Sequence, residues 1–464
     1  MHQHQYPPAH QSWITWGLGV AFYFTGFFHR MVPAVMADQL MVDFDIGAAA
    51  LGGFASYYYY SYVAVQIPTG ILADYWGPRK LLTTGTLLTS LGAFLFAFSP
   101  SILLANLGRL FIGGSIGVAW VSILKLSTRW FMPNRFAIST GLALSLGVCG
   151  ALSAGVPLRL LVDLFGWRPV TFGAGIITIL LAMSIWIFVR DDPVQKGYLS
   201  FATGQTDSAL RPRCSLLADL KRIFRYKNTW LLTIVPSSLA GPLLSFAGLW
   251  GVPYLTTRYQ LTPVKSAAII SSLLIAWAFG GPVLGALSEK IGRRKPLYFC
   301  GLCTALIGWS LVFFTKGYPL WFITFIFGLV GFASGSIIIG FAFIKESVPP
   351  ALAGTVTGVC NMGMEMGPML LQPAIGWVLD HTWKGALENG IPIYDLTAYH
   401  LAFGLMIGLS LLGTVMILFT RETYCQQFCD GEASLHISSQ ILTVESSLRP
   451  RARDTITNRE TSKE

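Results

Sequence analysis

Four ionisable residues lie deep inside long apolar runs of this chain: His29 and Arg30 in Phe22-Tyr-Phe-Thr-Gly-Phe-Phe-His29-Arg30-Met-Val-Pro-Ala-Val-Met36, Arg109 in Arg109-Leu-Phe-Ile-Gly113-Gly-Ser-Ile-Gly117, and Glu365 in Asn361-Met-Gly-Met-Glu365-Met-Gly-Pro-Met. Lys125, Arg159, Lys345 and Glu346 fall nearer the ends of such runs. A charge in an apolar span costs about 2.5–3.5 kcal/mol on insertion scales, so each deep one is a candidate for function. A guanidinium presents a planar fork of donors that suits a carboxylate or a phosphate. Asn361 and Glu365 stand one helical turn apart on one face, among flexible Met and Gly residues. A carboxyl group there can carry a proton or, ionised, hold an ammonium group. The packing alternatives are a buried Arg109 bonded to backbone carbonyls and a protonated Glu365 bonded to a neighbouring helix.

The elements that must position these groups are helices in a bilayer. Of the 464 residues 53% are apolar and 12% charged, a balance foreign to soluble domains. A hydrocarbon core about 30 Å thick takes roughly 20 apolar residues per helix. Such runs occur near 13–36, 49–73, 81–99, 101–124, 136–160, 169–189, 229–254, 266–287, 296–315, 319–343, 353–379 and 398–420. The first is too long for a signal-peptide core and has no basic stretch before it, so it is expected to be a retained span. The net charge of +10 does not call for nucleic acid: with the N-terminus placed in the cytoplasm, most of the 32 Lys and Arg residues fall in cytoplasmic loops and the C-terminal tail. Seven cysteines, scattered mostly through the spans, suggest no disulfide framework. Cys300-x-x-Cys303, on one apolar helix without nearby His, reads as packing, and neither a metal nor a cofactor is expected.

The organisation read from these patterns is a cytoplasmic segment 1–12, a six-helix bundle 13–189, a basic cytoplasmic linker 190–228, a second six-helix bundle 229–420 and a polar cytoplasmic tail 421–464 without expected structure. The two halves repeat. The loop after the second span carries Gly70, Asp74, Gly77, Arg79 and Lys80, and the loop after the eighth carries Gly285, Glu289, Gly292, Arg294 and Lys295, each offset by 215 residues. A shared offset of this kind indicates duplication, the mark of pseudo-symmetric transporters.

The pattern G-x-x-x-[DE]-x-x-G-x-[RK]-[RK] in both loops, with twelve spans over residues 13–420, resembles the major facilitator superfamily. The resemblance implies an all-α membrane fold of two pseudo-symmetric six-helix bundles. It also implies secondary transport of a small solute by alternating access, by a monomer in the cytoplasmic membrane with both termini inside. In that family the loop acids and bases latch the two bundles, a role carried here onto Asp74, Arg79, Glu289 and Arg294, with the glycines permitting the tight turn. The physical basis is a carboxylate that pairs with an Arg across the interface in one state and loses it in the other. The competing reading is that these charges set topology alone.

Span one resembles the first helix of organophosphate and organic-anion permeases, in which the Arg binds the substrate anion; the resemblance implies that role for Arg30. The departures are informative. Residue 245, at the repeat offset from Arg30, is Ser where phosphate-exchanging permeases place a paired Arg, and by that resemblance a doubly charged phosphate is less favoured. The acid that organic-anion symporters carry before the Arg is His29, and their span-four acid is replaced by Ile116. Arg109 with its glycines resembles the R-x-x-x-G-x-x-x-G helix linked to coupling, and a second substrate ligand is the alternative. A cation in one half and an acid in the other suit a carboxylate-bearing solute: an amino acid or small peptide, or an organic acid with Glu365 as proton carrier. Span five lacks the Gly-Pro pair of drug and proton antiporters, which by family analogy favours uptake over export; proton-coupled uptake is the expected function, with an exporter of a metabolite or drug, or a facilitated uniporter, as the alternative. An enzyme is disfavoured because no extramembrane loop is long enough for a catalytic domain and no P-loop is present. A channel would not require the duplicated loops.

Overall fold

The computed structural model describes residues 6–132, 135–201, 216–315, 317–388 and 391–427, with the side chains at 67, 70, 71, 74, 137, 216, 217, 351, 388 and 391 outside that description. The linker between 202 and 215 and the tail from 428 onward, to which the sequence assigned cytoplasmic roles, also lie outside it.

Among the described residues, twelve helices cross the molecule. α1 is Ala9–Phe44. α2 and α3 (residues 48–76 and 78–97) share the stretch Ala48–Ala97, broken at Gly77, where φ is 79° and ψ 160°. α4 is Ile102–Trp130, α5 Ile138–Phe165, α6 Trp167–Phe188, α7 Lys227–Tyr259, α8 Pro263–Ile291, α9 Lys295–Phe314 and α10 Leu320–Glu346. α11 is Ala353–His381, and α12 is Leu396–Phe419. A two-residue antiparallel pair, β1 (Leu387–Glu388) with β2 (Ile391–Pro392), sits in the α11–α12 turn of this otherwise helical chain. α1 runs on past its apolar stretch. Its last part keeps Ala37, Leu40 and Met41 buried while Asp38 and Asp43 pair with Arg159 and Arg168, and it stops at Asp45 in the left-handed conformation that Asp tolerates.

Among the described residues, nine helices are long and apolar enough to cross a membrane on composition alone. The others, α1, α2 and α11, complete the twelve, and they are the ones that carry Arg30, a run of tyrosines, and Asn361 with Glu365. Polarity is thus concentrated in the helices that face the middle of the molecule. Burial agrees: 89% of the apolar window of α7 is enclosed by protein, against 28% for α6, so α7 is central and α6 faces lipid.

The halves meet chiefly where α2 packs on α11, with α5 on α8 as the symmetry-related contact. Backbone contact is close at the end of the bundle opposite the repeated loops. A side chain at Gly376 would strike the carbonyl of Ala48, and one at Gly52 the carbonyl of Gln372. Only glycine lets the two helices approach this far.

Candidate functional site

Arg30 of α1 and Glu365 of α11 meet at the centre of the molecule, Nη1 to Oε1 at 3.1 Å, with 3% and 1% of their side chains exposed. The pair joins the two halves. Four aromatic rings enclose the guanidinium: Phe27, Tyr58, Tyr59 and Tyr62, with Cζ 5.0 to 5.7 Å from their centroids. Their spacing follows from helical geometry, since Tyr58, Tyr59 and Tyr62 cover one side of α2 at i, i+1 and i+4. Aromatic faces attract the cation, which offsets part of its desolvation.

The pairing is incomplete. Arg30 Nε and Glu365 Oε2 are buried without a hydrogen-bond partner among the described residues. Such orphaned groups in a dry site are costly, and a bound carboxylate or ammonium would satisfy them. Beside them, Asn361 Nδ2 donates to Tyr62 Oη at 3.4 Å, a second polar bridge between α11 and α2. Ser245, the repeat counterpart of Arg30, is fully buried, and its hydroxyl has no partner among the described residues.

Arg109 and His29 stand apart from this pair. The Arg109 guanidinium donates to the carbonyls of His29 (2.6 Å) and Ala55 (3.4 Å) and lies over Phe54 and Tyr58. It therefore straps α4 to α1 and α2 through main-chain oxygens, in the geometry of the packing alternative. His29 is buried, its Nε2 has no hydrogen-bond partner among the described residues, and its ring meets Phe28 edge-on.

The repeated loops are held within their own halves. Arg79 donates its backbone N–H to Asp191 at 2.6 Å and its side chain to the Trp186 carbonyl, with the guanidinium 4.2 Å from the Trp186 ring. In the second half Glu422 accepts from the backbone N–H of Arg294 and Lys295, while the Arg294 side chain pairs with Glu346 at 2.8 Å and donates to Ser288. Lys295 Nζ donates to the carbonyls of Leu418 and Thr420. A carboxylate following the sixth and twelfth spans thus caps the helix after each loop. Arg79 and Arg294 have partners in their own halves here rather than across the interface, Glu289 and Lys80 are exposed, and the surroundings of Gly70 and the Asp74 side chain lie outside the description. Gly77 has a specific reason to lack a side chain: besides its positive φ, a Cβ there would lie 2.7 Å from the Asp191 carboxylate.

At the opposite end the halves are joined by Asp380 of α11. Its Oδ1 accepts from Ala48 N (2.9 Å) and Tyr394 Oη (2.5 Å), and its Oδ2 accepts from Ala49 N (2.8 Å). A carboxylate of the second half therefore caps the N-terminus of a helix of the first, where unpaired N–H groups and the helix dipole favour an anion. Sequence reasoning passed over Asp380, Tyr394, Asp191 and Glu422 because each lies at a span end, where polar residues are common.

Two six-helix halves crossing a bilayer around a central, cross-half ion pair define a membrane carrier of small solutes, not an enzyme. The Major Facilitator Superfamily model matches residues 18–364 and 252–427, and the chain belongs to that family. It is 26% identical over 395 residues to a probable hexose phosphate transport protein of Chlamydia pneumoniae, covering 79% of this chain and 85% of that protein. It is 24% identical over 364 residues to the lysosomal dipeptide transporter MFSD1 of Danio rerio, covering 75% and 76%. The crystal structure of a point mutant of the nucleoside transporter NupG superposes with a TM-score of 0.69 at 15% identity, over 88% of this chain and 100% of that one.

Proposed function

We propose that this carrier moves a small carboxylate-bearing organic solute, an organic acid, amino acid or small peptide, by proton-coupled uptake across a bacterial-type cytoplasmic membrane. The observation that carries the reading is the buried Arg30–Glu365 pair between the halves. A solute carboxylate takes Arg30 in place of Glu365, and Glu365 then receives a proton or the solute's own ammonium group. Either exchange keeps the buried charge balanced, which a dry site requires. The paired residues thus couple occupancy of the site to how firmly the halves hold together. The dipeptide carried by the zebrafish relative has both charged ends, and the single Arg, with Ser245 at its repeat position, fits a monoanion better than a phosphate dianion.

Placing the repeated loops, the linker and both termini in the cytoplasm follows the distribution of Lys and Arg. The Asp380 cap then closes the outer end in this conformation. In the opposite state Asp74, Arg79, Glu289 and Arg294 exchange their partners for ones across the interface and latch the inner end. The carrier works as a monomer, each chain holding one complete site.

Ligand-induced thermal stabilisation of the purified carrier tests the reading with carboxylates, amino acids, dipeptides, sugar phosphates and lipophilic cations. Carboxylates or peptides are expected to raise Tm, and Arg30→Ala to abolish the rise. Stabilisation by lipophilic cations alone, indifferent to Arg30, would replace uptake of an anion with export.

A further inference from the structure

Two turns beyond Glu365 on the same face of α11, about 10 Å along the helix, stands Gln372. It is 1% exposed, and its Oε1 has no hydrogen-bond partner among the described residues, while Nε2 reaches the Leu244 carbonyl at a long 3.5 Å. Tyr59 of α2, whose ring lies against Arg30, is fully buried, and its hydroxyl is likewise unpartnered. These two groups from opposite halves converge on one point. A Cβ placed on Gly248 would lie 3.5 Å from Gln372 Nε2 and 3.9 Å from Tyr59 Oη. Gly248 belongs to the single π-helical turn Phe246–Trp250 of α7, a widening of the helix that recurs at functional sites. The absence of a side chain there leaves bare backbone beside the amide, the hydroxyl and Met31 Sδ, which lies 3.6 Å from the same point. Trp250, at the end of the same turn, donates its Nε1 to the Gln372 carbonyl at 3.2 Å and so fixes α11 against it.

Buried polar groups inside a membrane protein are normally paired, and a Gln372 amide whose oxygen lacks a partner, meeting the orphaned Tyr59 hydroxyl beside one glycine, has a shared explanation with it in a ligand that pairs both. The geometry points to a second subsite, formed by Tyr59, Gln372 and the backbone at Gly248, that binds an uncharged hydrogen-bond donor, a hydroxyl or amide N–H, on the solute whose carboxylate Arg30 holds. Gln372 Oε1 sets the polarity of this preference, because a carbonyl oxygen accepts and cannot donate. The proposal rests on the carboxylate reading of Arg30. It narrows the solute to a carboxylate with a polar, uncharged tail and disfavours plain fatty or short alkyl acids, which would leave both groups unpaired.

The test compares three probes on the purified carrier: gluconate, which offers hydroxyls, N-acetylglycylglycine, which offers amide N–H groups, and hexanoate, which offers neither. The wild-type protein is expected to bind gluconate or N-acetylglycylglycine about tenfold more tightly than hexanoate, the effect of two ordinary hydrogen bonds. Tyr59→Phe, which keeps the ring over Arg30, and Gln372→Leu are each expected to move that ratio toward one. The polar probe with the larger ratio tells hydroxyl from amide. A ratio near one in the wild-type protein, or a ratio that neither variant changes, overturns the subsite while leaving the Arg30 reading intact. If none of the carboxylates binds the wild-type protein, or all bind Arg30→Ala equally well, the Arg30 reading falls and the subsite with it.

Discussion

A guanidinium and a carboxylate removed from water hold each other in place at a price that neither could meet alone. Truncating one member of such a pair strands the other and typically costs about 3–5 kcal/mol, whereas replacing both with apolar groups of similar volume is often neutral or stabilising. Arg30→Met and Glu365→Met are therefore each expected to lower the melting temperature of the solute-free carrier, and the double variant to recover most of that loss without regaining transport. Additive losses in the double variant would mean that the two side chains do not depend on one another. Each member of the pair was legible from sequence as an expensive charge in an apolar run, but their contact was not, since 335 positions separate them and no periodicity links α1 to α11. Arg109 shows the converse: the same insertion cost marks it, yet its bonds go to the carbonyls of His29 and Ala55. Residue type states that a buried charge needs a partner, and only the fold states which partner it finds.

Glycine and carboxylate at helix ends govern how the elements turn and meet. Gly77 and Gly292 occupy matching places in the two repeated loops, and both have positive φ, but a Cβ at Gly77 would crowd Asp191 while Gly292 has open space around it. Gly292→Ala, in the left-handed helical region, is thus expected to cost the backbone term alone, about 1–2 kcal/mol, and Gly77→Ala more, because its ψ of 160° places it in a region essentially reserved for glycine and a Cβ would also crowd Asp191, as read by melting temperature; equal losses would remove both effects. At the far end the Asp380 cap joins α11 to α2 through bonds to a charged acceptor, each worth about 1.5–3 kcal/mol. Asp380→Ala is expected to shift the distance distribution between spin labels at exposed Ala50 and Ala386 toward longer separations, by about tenfold or more in population. An unaltered distribution would show that glycine packing, and not the cap, closes this end. The repeated loops could be found from sequence because duplication preserves spacing. The caps that hold them could not, because Asp191 and Glu422 come from chain segments far away in sequence, at different offsets from their loops.

The whole molecule is two copies of a six-helix unit whose apolar composition announces the bilayer and whose less apolar helices, α1, α2 and α11, turn inward together with the enclosed α7. Twelve spans and the two halves were legible because hydrophobic length and repeat offset are properties of the chain itself. The central site was legible only as a set of candidates, for its geometry depends on how one half is placed on the other. If the cross-half pair is what solute binding exchanges, Glu365 takes up a proton whenever a carboxylate without an amine occupies Arg30. The measurement that bears on this most directly uses proteoliposomes and the carboxylate giving the largest thermal stabilisation. Accumulation driven by an inward proton gradient is compared with exchange at equal pH, in wild-type carrier and in Glu365→Gln. Glu365→Gln is expected to lose gradient-driven accumulation by at least about tenfold, the loss of one proton-coupled step, yet still to exchange solute. Accumulation by Glu365→Gln equal to that of the wild-type carrier would contradict a proton carried on Glu365.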